Sequence, residues 1–559
     1  MRLTDSRRRY LAALGAVSAL LALFFYASFF LNLRTTLSEW SGSVVIVPYQ
    51  LFYNFLHGRP FQLSVFGPAS SALGYSRNPY HYMHAFAHHT CITPYAFAFL
   101  WALHPTLSWL YAIYFIWSLA GSLVFTRLIL QRLDPEDTRA KTALALSVFL
   151  ASGLLCILNQ FAQFLMFSGT FILAAYYCLL TRRRAGFILL AAALCLLTED
   201  AAMMVALFGL YIYLFEPGRK RYAWACWGLA IPYLLLVLLV IQPGARSELT
   251  HTRMNTAASH MIGLFALTPK TLFLNLKALL PTFTLLPAFA MAGLLFGFPI
   301  KARLPRIAAL AFVPAGLHWA ESAVIGAAHH QLPPYFFLYL ALLVFLGEAR
   351  GRAAAGINRG LWAATACFLL VSGRVLAQNL PLSLRPALYR LSGNRGRQEA
   401  WERLLALGPA SNRDVIRTAA SISPKKSLVY MANDTVDGFL TDRSSIWTFP
   451  SYFDEADYLL VQKDATDLLS IFDASTPGGL KAAASGSWTR APAQGTLSMT
   501  PEAVALFKTL SARGGTHRVA FEDEHVLLLE NLDPRTFESP PSTMGILGWA
   551  RHPRFSGNK

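Results

Sequence analysis

The chain has 559 residues, is 55% hydrophobic and carries only 14% charged residues, with a formal net charge of +18. Repeated long apolar runs exclude a large soluble enzyme and indicate a polytopic membrane protein. The charge is unevenly placed: residues 1–378 hold 28 Lys and Arg against 11 Asp and Glu, whereas residues 379–559 hold 20 against 19. Cytoplasmic loops of membrane proteins collect Lys and Arg, so the excess needs no nucleic-acid partner.

In chain order, Arg7-Arg8-Arg9 precede an apolar run to Leu33, which reads as an uncleaved first span. Further apolar segments lie near 106–126, 141–158, 161–181, 185–198, 200–215, 222–242, 281–299, 304–326, 333–348 and 359–378. The expectation is an α-helical protein of about eleven transmembrane helices. Basic clusters at Arg7–Arg9, Arg127–Lys141, Arg182–Arg184, Arg219–Arg221, Lys301–Arg306 and Arg350–Arg359 then share one side, with the N-terminus cytoplasmic. Two long outer loops follow from this arrangement, 34–105 and 243–280, and loops of that size are uncommon unless functional. Within the first, Tyr49–His57 reads as an amphipathic helix on the membrane surface. Thr93–Leu103 is apolar but too short to span, so it is expected to be re-entrant or interfacial.

The stretch Ala185–Phe215 holds 31 residues with one polar interruption, Thr198-Glu199-Asp200. It is too long for one ordinary span, which needs roughly 20 residues, and is read as two helices meeting at that triplet. Arg182–Arg184 and Arg219–Arg221 hold both outer ends on one face, which leaves the acids on the other. A charged side chain near a bilayer centre costs about 2.5–3.5 kcal/mol, so such acids are expected to serve a function. They either form a polar hairpin tip or line a water-filled cavity.

After Gln378 the composition changes. Strand-like runs at Ser427–Met431 and Tyr458–Val461 alternate with polar turns and a helical stretch at Arg397–Leu407. We expect a transmembrane domain over 1–378, an extracytoplasmic α/β domain over 379–533 and a loose tail over 534–559. The six cysteines all lie in or beside apolar segments without metal-ligand spacing, so no disulfide framework is implied.

Several residues can carry chemistry. Glu39 is the only acid between Ser6 and Leu133 and stands just past the first span, where a carboxylate suits a general base, a metal ligand or a helix cap. His81, His84 and His88 follow helical spacing, with His89 adjacent; one helix face could bind a metal, while a phosphate-facing role suits His88 or His89. His318 and Glu321 are spaced for a buried ion pair. Arg34, Arg59, Arg77, Arg246 and Arg253 in the outer loops can grip phosphate bidentately. The phosphate-binding glycine loops, the H-E-x-x-H motif and the nucleophile elbow have no counterpart in the sequence, which argues against a nucleotide-driven mechanism.

Five ordered blocks carry a resemblance: Gln50–Asn54 with Gly58–Phe61; His89 and the apolar run to Leu103-His104-Pro105; Leu197–Ala202; His329-His330-Gln331 leading to Pro334; and Asp442-Arg443, Phe449-Pro450 and Ala456–Tyr458. On these the chain resembles the DUF2079 membrane proteins, a family similar to the membrane-embedded GT-C glycosyltransferases. It departs from that pattern at Val44, Ala162 and Thr198, where relatives show an acid, a histidine and a lysine. The resemblance implies a GT-C-like fold in the cell (inner) membrane and a transferase that moves a sugar from a polyprenyl-phosphate donor, at the outer face, to a glycan, lipid or protein acceptor. Catalytic roles fall to Glu39, Glu199 and Asp200. Substrate or phosphate contacts fall to Gln50, Arg59, His88, His89, Arg246, His329 and His330. Glu199 and Asp200 could also hold a divalent ion, and no other cofactor is implied. The competing expectation is a transporter or a non-catalytic lipid-binding protein that uses the same acids.

Overall fold

The computed structural model describes residues 43–63, 83–84, 90–132, 164–241, 410–432, 446–448, 456–463 and 517–534, with isolated positions between 340 and 440. Helix α1, Ser43–Leu56, carries Pro48 inside it. It buries Tyr49, Leu51 and Phe52 together with two polar residues, Gln50 and Asn54, both fully inaccessible. The surface-lying amphipathic helix expected here is therefore a packed one. Its polar residues at i, i+4 share a face that turns inward, which sequence periodicity alone assigned to water. Gly58 closes the helix at φ 72°, a left-handed geometry that costs glycine little, and Arg59 N–H reaches back to the Asn54 carbonyl at 2.8 Å.

Strands β1 (Gln62–Leu63) and β2 (Met83–His84) form a short antiparallel ladder that pairs Gln62 with His84. His84 is therefore extended, and the three-histidine helical face expected across His81–His88 is not formed at this position. Helix α2, Tyr95–Trp101, has only 7 residues, consistent with a segment too short to span. It packs against α1 through Phe55–Tyr95 and Tyr49–Trp101 ring contacts.

Helix α3, Leu107–Arg132, and helix α4, Ser168–Leu180, pack against each other, and the Thr170 hydroxyl donates to the Trp117 carbonyl at 2.9 Å. Tyr114 meets Phe167 and Trp117 meets Phe171. Phe167 ends the 3-10 turn Phe164–Phe167, and its carbonyl accepts the Trp117 indole N–H at 3.0 Å. Helices α5 (Arg184–Cys195) and α6 (Glu199–Phe215) are the two pieces expected from the long apolar run. Helix α7, Lys220–Leu236, continues through a π-helical turn, Val237–Ile241. Among the described residues two segments, Leu107–Phe125 and Lys220–Ile241, are long and apolar enough to cross a membrane. The spans expected at 161–181, 185–198 and 200–215 are the shorter apolar helices α4, α5 and α6, and those expected at 10–33, 141–158, 281–299, 304–326, 333–348 and 359–378 lie largely or wholly outside the described residues.

Helix α8, residues 410–421, covers one face of a five-stranded sheet. Its strands are β3 (Leu428–Met431), β4 (Ile446–Thr448), β5 (Tyr458–Gln462), β6 (His517–Glu522) and β7 (Val526–Asn531), in the order β4-β3-β5-β7-β6. The first three strands are parallel to one another, and β7 and β6 add antiparallel. Leu428, Tyr430, Leu460, Val526 and Leu528 pack with Val415 and Ala419 of α8. The alternate residues Val429, Leu459, Val461, Leu527 and Leu529 are also buried, as a sheet covered on both faces requires. Strands near 427–431 and 458–461 match the periodicity of the sequence.

Candidate functional site: the helix break at Thr198

The break between α5 and α6 follows from local chemistry. Thr198 has extended dihedrals, φ −160° and ψ 166°, and its hydroxyl accepts the Ala201 N–H at 3.2 Å. This is an N-cap, a position that threonine suits. Glu199 and Asp200 then occupy the first turn, where the helix dipole favours negative charge.

The first outer loop is fastened onto this break. Glu199 Oε2 accepts the Thr90 backbone N–H at 3.1 Å and the Thr90 hydroxyl at 3.2 Å. The carbonyl of Leu196, left without a helical donor at the end of α5, accepts N–H groups from Ile92 (2.8 Å) and Thr93 (3.0 Å). The Thr93 hydroxyl donates to the Ala193 carbonyl at 2.6 Å, and Tyr233 of α7 donates its hydroxyl to the Thr90 carbonyl at 3.4 Å. Four segments thus meet at one end of the helical unit: loop 90–94, the end of α5, the start of α6 and the last turns of α7.

Between the two threonines Cys91 is buried. Burial, and after it the charge of Glu199, push its thiol well above the ordinary range.

The expected site residues divide by location. Glu199 and Asp200 lie at the break, both half-buried. Gln50 and Arg59 lie on α1 and the turn after it, and α1 packs against α2. Phe61 N–H donates to the Tyr95 hydroxyl at 3.2 Å, which ties the Gly58–Phe61 block to α2. Glu39, His88, His89, Arg246, His329 and His330 lie outside the described residues, as do His318 and Glu321. Among the described residues no group of three His, Cys, Asp or Glu side chains could hold a metal ion. Thr90, Thr93 and Tyr233 escaped the sequence reading; only the place of Thr90 directly after His88-His89 offered a signal.

The second polar cluster lies at the far end of α6. Glu216 is its C-cap residue and is buried. Its Oε1 accepts the Tyr176 hydroxyl at 2.7 Å and the Tyr211 hydroxyl at 3.4 Å; Arg219 donates to Oε2 at 3.1 Å.

Apolar helices with such ends define a helical membrane protein. The chain belongs to the DUF2079 family, described as predicted membrane proteins, whose profile matches residues 49–478. Among solved structures, the chain is similar to ArnT from Cupriavidus metallidurans bound to undecaprenyl phosphate. The identity is 13%, the coverage 92% of this chain and 97% of that one, and the TM-score 0.47. Comparison with curated proteins gives no match.

Proposed function

We propose that the chain is a GT-C-like glycosyltransferase of the cell membrane, which moves a sugar from a polyprenyl-phosphate donor to an acceptor at the outer face. The observation that carries this reading is the Glu199–Thr90 contact. It joins residues 109 positions apart and unites two of the family's blocks at a single helix break, at the end away from the basic turns. A carboxylate set at such a break is available to a ligand that approaches sideways from the bilayer.

In this reading Glu39 is the base that takes the proton of the acceptor hydroxyl. Arg59, His88, His89 and Arg246 face the donor phosphate, with Gln50, His329 and His330 in the same substrate-binding set. The phosphate departs as an anion, and cationic groups in a partly dry cavity stabilise that charge. Glu199 and Asp200 supply hard oxygen donors of the kind a divalent ion takes, and such an ion would neutralise charge on the phosphate. In this arrangement residues 1–378 form the membrane domain, and residues 379–533 lie outside the cytoplasm.

The test is turnover of a panel of polyprenyl-phosphate sugars by the purified full-length protein, beside direct donor-binding titration. Glu39→Gln is expected to lower transfer by about 10²-fold with donor binding intact, the usual scale for a lost general base. Glu199→Gln is expected to weaken donor binding as well. Full activity in Glu39→Gln removes it as the base. Donor binding or ion movement without turnover across the whole panel favours the lipid-binding or transporter reading.

A further inference from the structure

The end of the helical unit away from Glu199 presents a different surface. Arg182, Arg183 and Arg184, all exposed, lie at the start of α5, and Arg219, Lys220 and Arg221 lie at the start of α7. The two turns are neighbours: Phe187, in the first turn of α5, meets Tyr222, in the first turn of α7, edge-on at 4.9 Å between ring centroids. Among the described residues, Arg219 alone of the six bonds a carboxylate, that of Glu216. Lys220 is held over the Tyr213 ring, 4.8 Å from its centroid.

Next to these cations comes a band of aromatics. Trp227 sits 5.6 Å from Tyr213 and 5.1 Å from Trp224, and its indole N–H is anchored on the Ala206 carbonyl. Trp224 is 62% exposed and Tyr213 38%. Further along α7 the exposed residues are purely aliphatic, among them Ile231, Leu235 and Leu239. Cations, then aromatics, then aliphatics is the order a helix shows as it passes from headgroups into hydrocarbon. The exposed aliphatic stripe rules out water as the medium beside this face.

We propose that this basic and aromatic face binds the headgroups of anionic phospholipids in the adjoining leaflet. Charge complementarity names the occupant. Arginine guanidinium groups match phosphate oxygens in pairs, and five of the six cations have no carboxylate to compete for them among the described residues. Continuity with the apolar stripe favours a lipid over a soluble anion, because only a lipid occupies both layers at once. The surface lies at the opposite end from Glu199, so the inference holds whether or not the chain transfers sugar.

Native mass spectrometry of the full-length protein tests this. The delipidated protein is titrated with phosphatidylglycerol or with phosphatidylcholine of the same acyl chains. The wild type is expected to bind phosphatidylglycerol about tenfold more tightly, and the Arg183→Gln, Lys220→Gln, Arg221→Gln triple variant to lose that preference, its phosphatidylglycerol affinity falling about tenfold to the phosphatidylcholine level. Its phosphatidylcholine affinity should not change. A charge-conserving pair, Arg183→Lys with Lys220→Arg, should keep most of the preference, which separates lost charge from lost folding. Equal affinities in the wild type, an unaltered preference in the triple variant, or displacement of the lipid by equimolar inorganic phosphate would overturn the proposal.

Discussion

Helix α6 carries a glutamate at each end, and the two are held in opposite ways. Glu199 sits in the first turn, where the helix dipole stabilises a negative charge, and receives a neutral amide and a neutral hydroxyl from Thr90. Glu216 sits at the C-cap, where the same dipole opposes it. There it receives the Arg219 guanidinium and the hydroxyls of Tyr176 and Tyr211, which clasp α4, α6 and the turn into α7 together. The lesson is that an apolar setting does not by itself mark an acid as chemical. Glu216 is surrounded on the terms of a structural clasp. Glu199 is positioned by a loop that belongs to another part of the chain.

The largest expected effect tests that clasp. Glu216→Ala leaves Arg219 and two tyrosine hydroxyls facing a buried gap, and loss of one partner of a buried pair costs about 3 kcal/mol or more. Thermal unfolding in detergent should show it, whereas Glu199→Gln should unfold close to the wild type. Equal losses in the two variants would erase the contrast.

Packing between the two ends gives the next effect. A methyl group at Gly209 would meet Cys226 Cβ at 2.9 Å and the Trp227 indole nitrogen at 2.8 Å. Gly209→Ala forces α6 and α7 apart, at a cost of about 2 kcal/mol. Because Tyr233 of α7 holds the Thr90 carbonyl, this variant should also loosen loop 90–94, read as faster hydrogen exchange at the Ile92 and Thr93 amides. Unchanged exchange there would separate helix packing from the break.

The Glu199 end was partly legible in the sequence. Thr-Glu-Asp inside an apolar run is both an N-cap signature and a charge that hydrocarbon disfavours, so the break and the two helices could be read directly. Thr90 could not, because its role depends on a loop returning over more than a hundred residues. Glu216, beside Pro217-Gly218, carries no sequence signal of its role, since its partner Tyr176 stands 40 residues earlier. The inward turn of Gln50 and Asn54 was hidden for another reason: periodicity shows that two residues share a face, not which way that face points. The strands of the sheet were legible where both faces are buried, as at Leu428–Met431 and Tyr458–Gln462. Exposed β6 gave no comparable signal.

Thr90→Val sharpens the reading of the break. It removes the hydroxyl and keeps the amide, so Glu199 loses one of two bonds from this residue, a change of about 1 kcal/mol. Thr90→Ser should restore it. If donor binding is the role of Glu199, Thr90→Val should weaken the titrated donor affinity by about fivefold and Thr90→Ser should not. Equal behaviour of the two variants would reduce Thr90 to a passive loop residue.

The smallest effect asks whether the same kind of cradle is purely structural elsewhere. Asp457, just before β5, accepts the Ser427 N–H at 2.8 Å and the Ser427 hydroxyl at 2.6 Å, much as Glu199 accepts from Thr90. Lys426 adds a cation at 2.7 Å. Burial raises the Asp457 carboxyl, but the bonds from Lys426 and Ser427 outweigh burial and hold it below its usual value. A carboxyl with a lowered folded pKa contributes stability above its unfolded pKa, and that contribution disappears as pH falls through the folded value. Asp457→Asn should therefore cost about 1 kcal/mol at neutral pH, seen as faster hydrogen exchange of the β5 amides in the full-length protein. The difference from wild type should hold from about pH 7 to pH 5, shrink as pH falls through the ordinary carboxylate range near 4, and close once the folded carboxyl itself protonates. A difference that shows no pH dependence down to the acid limit of the folded protein would mean that the amide and hydroxyl bonds, rather than the charge, fasten β5 to the end of β3. The Thr90 cradle would then be expected to hold Glu199 equally well in either protonation state.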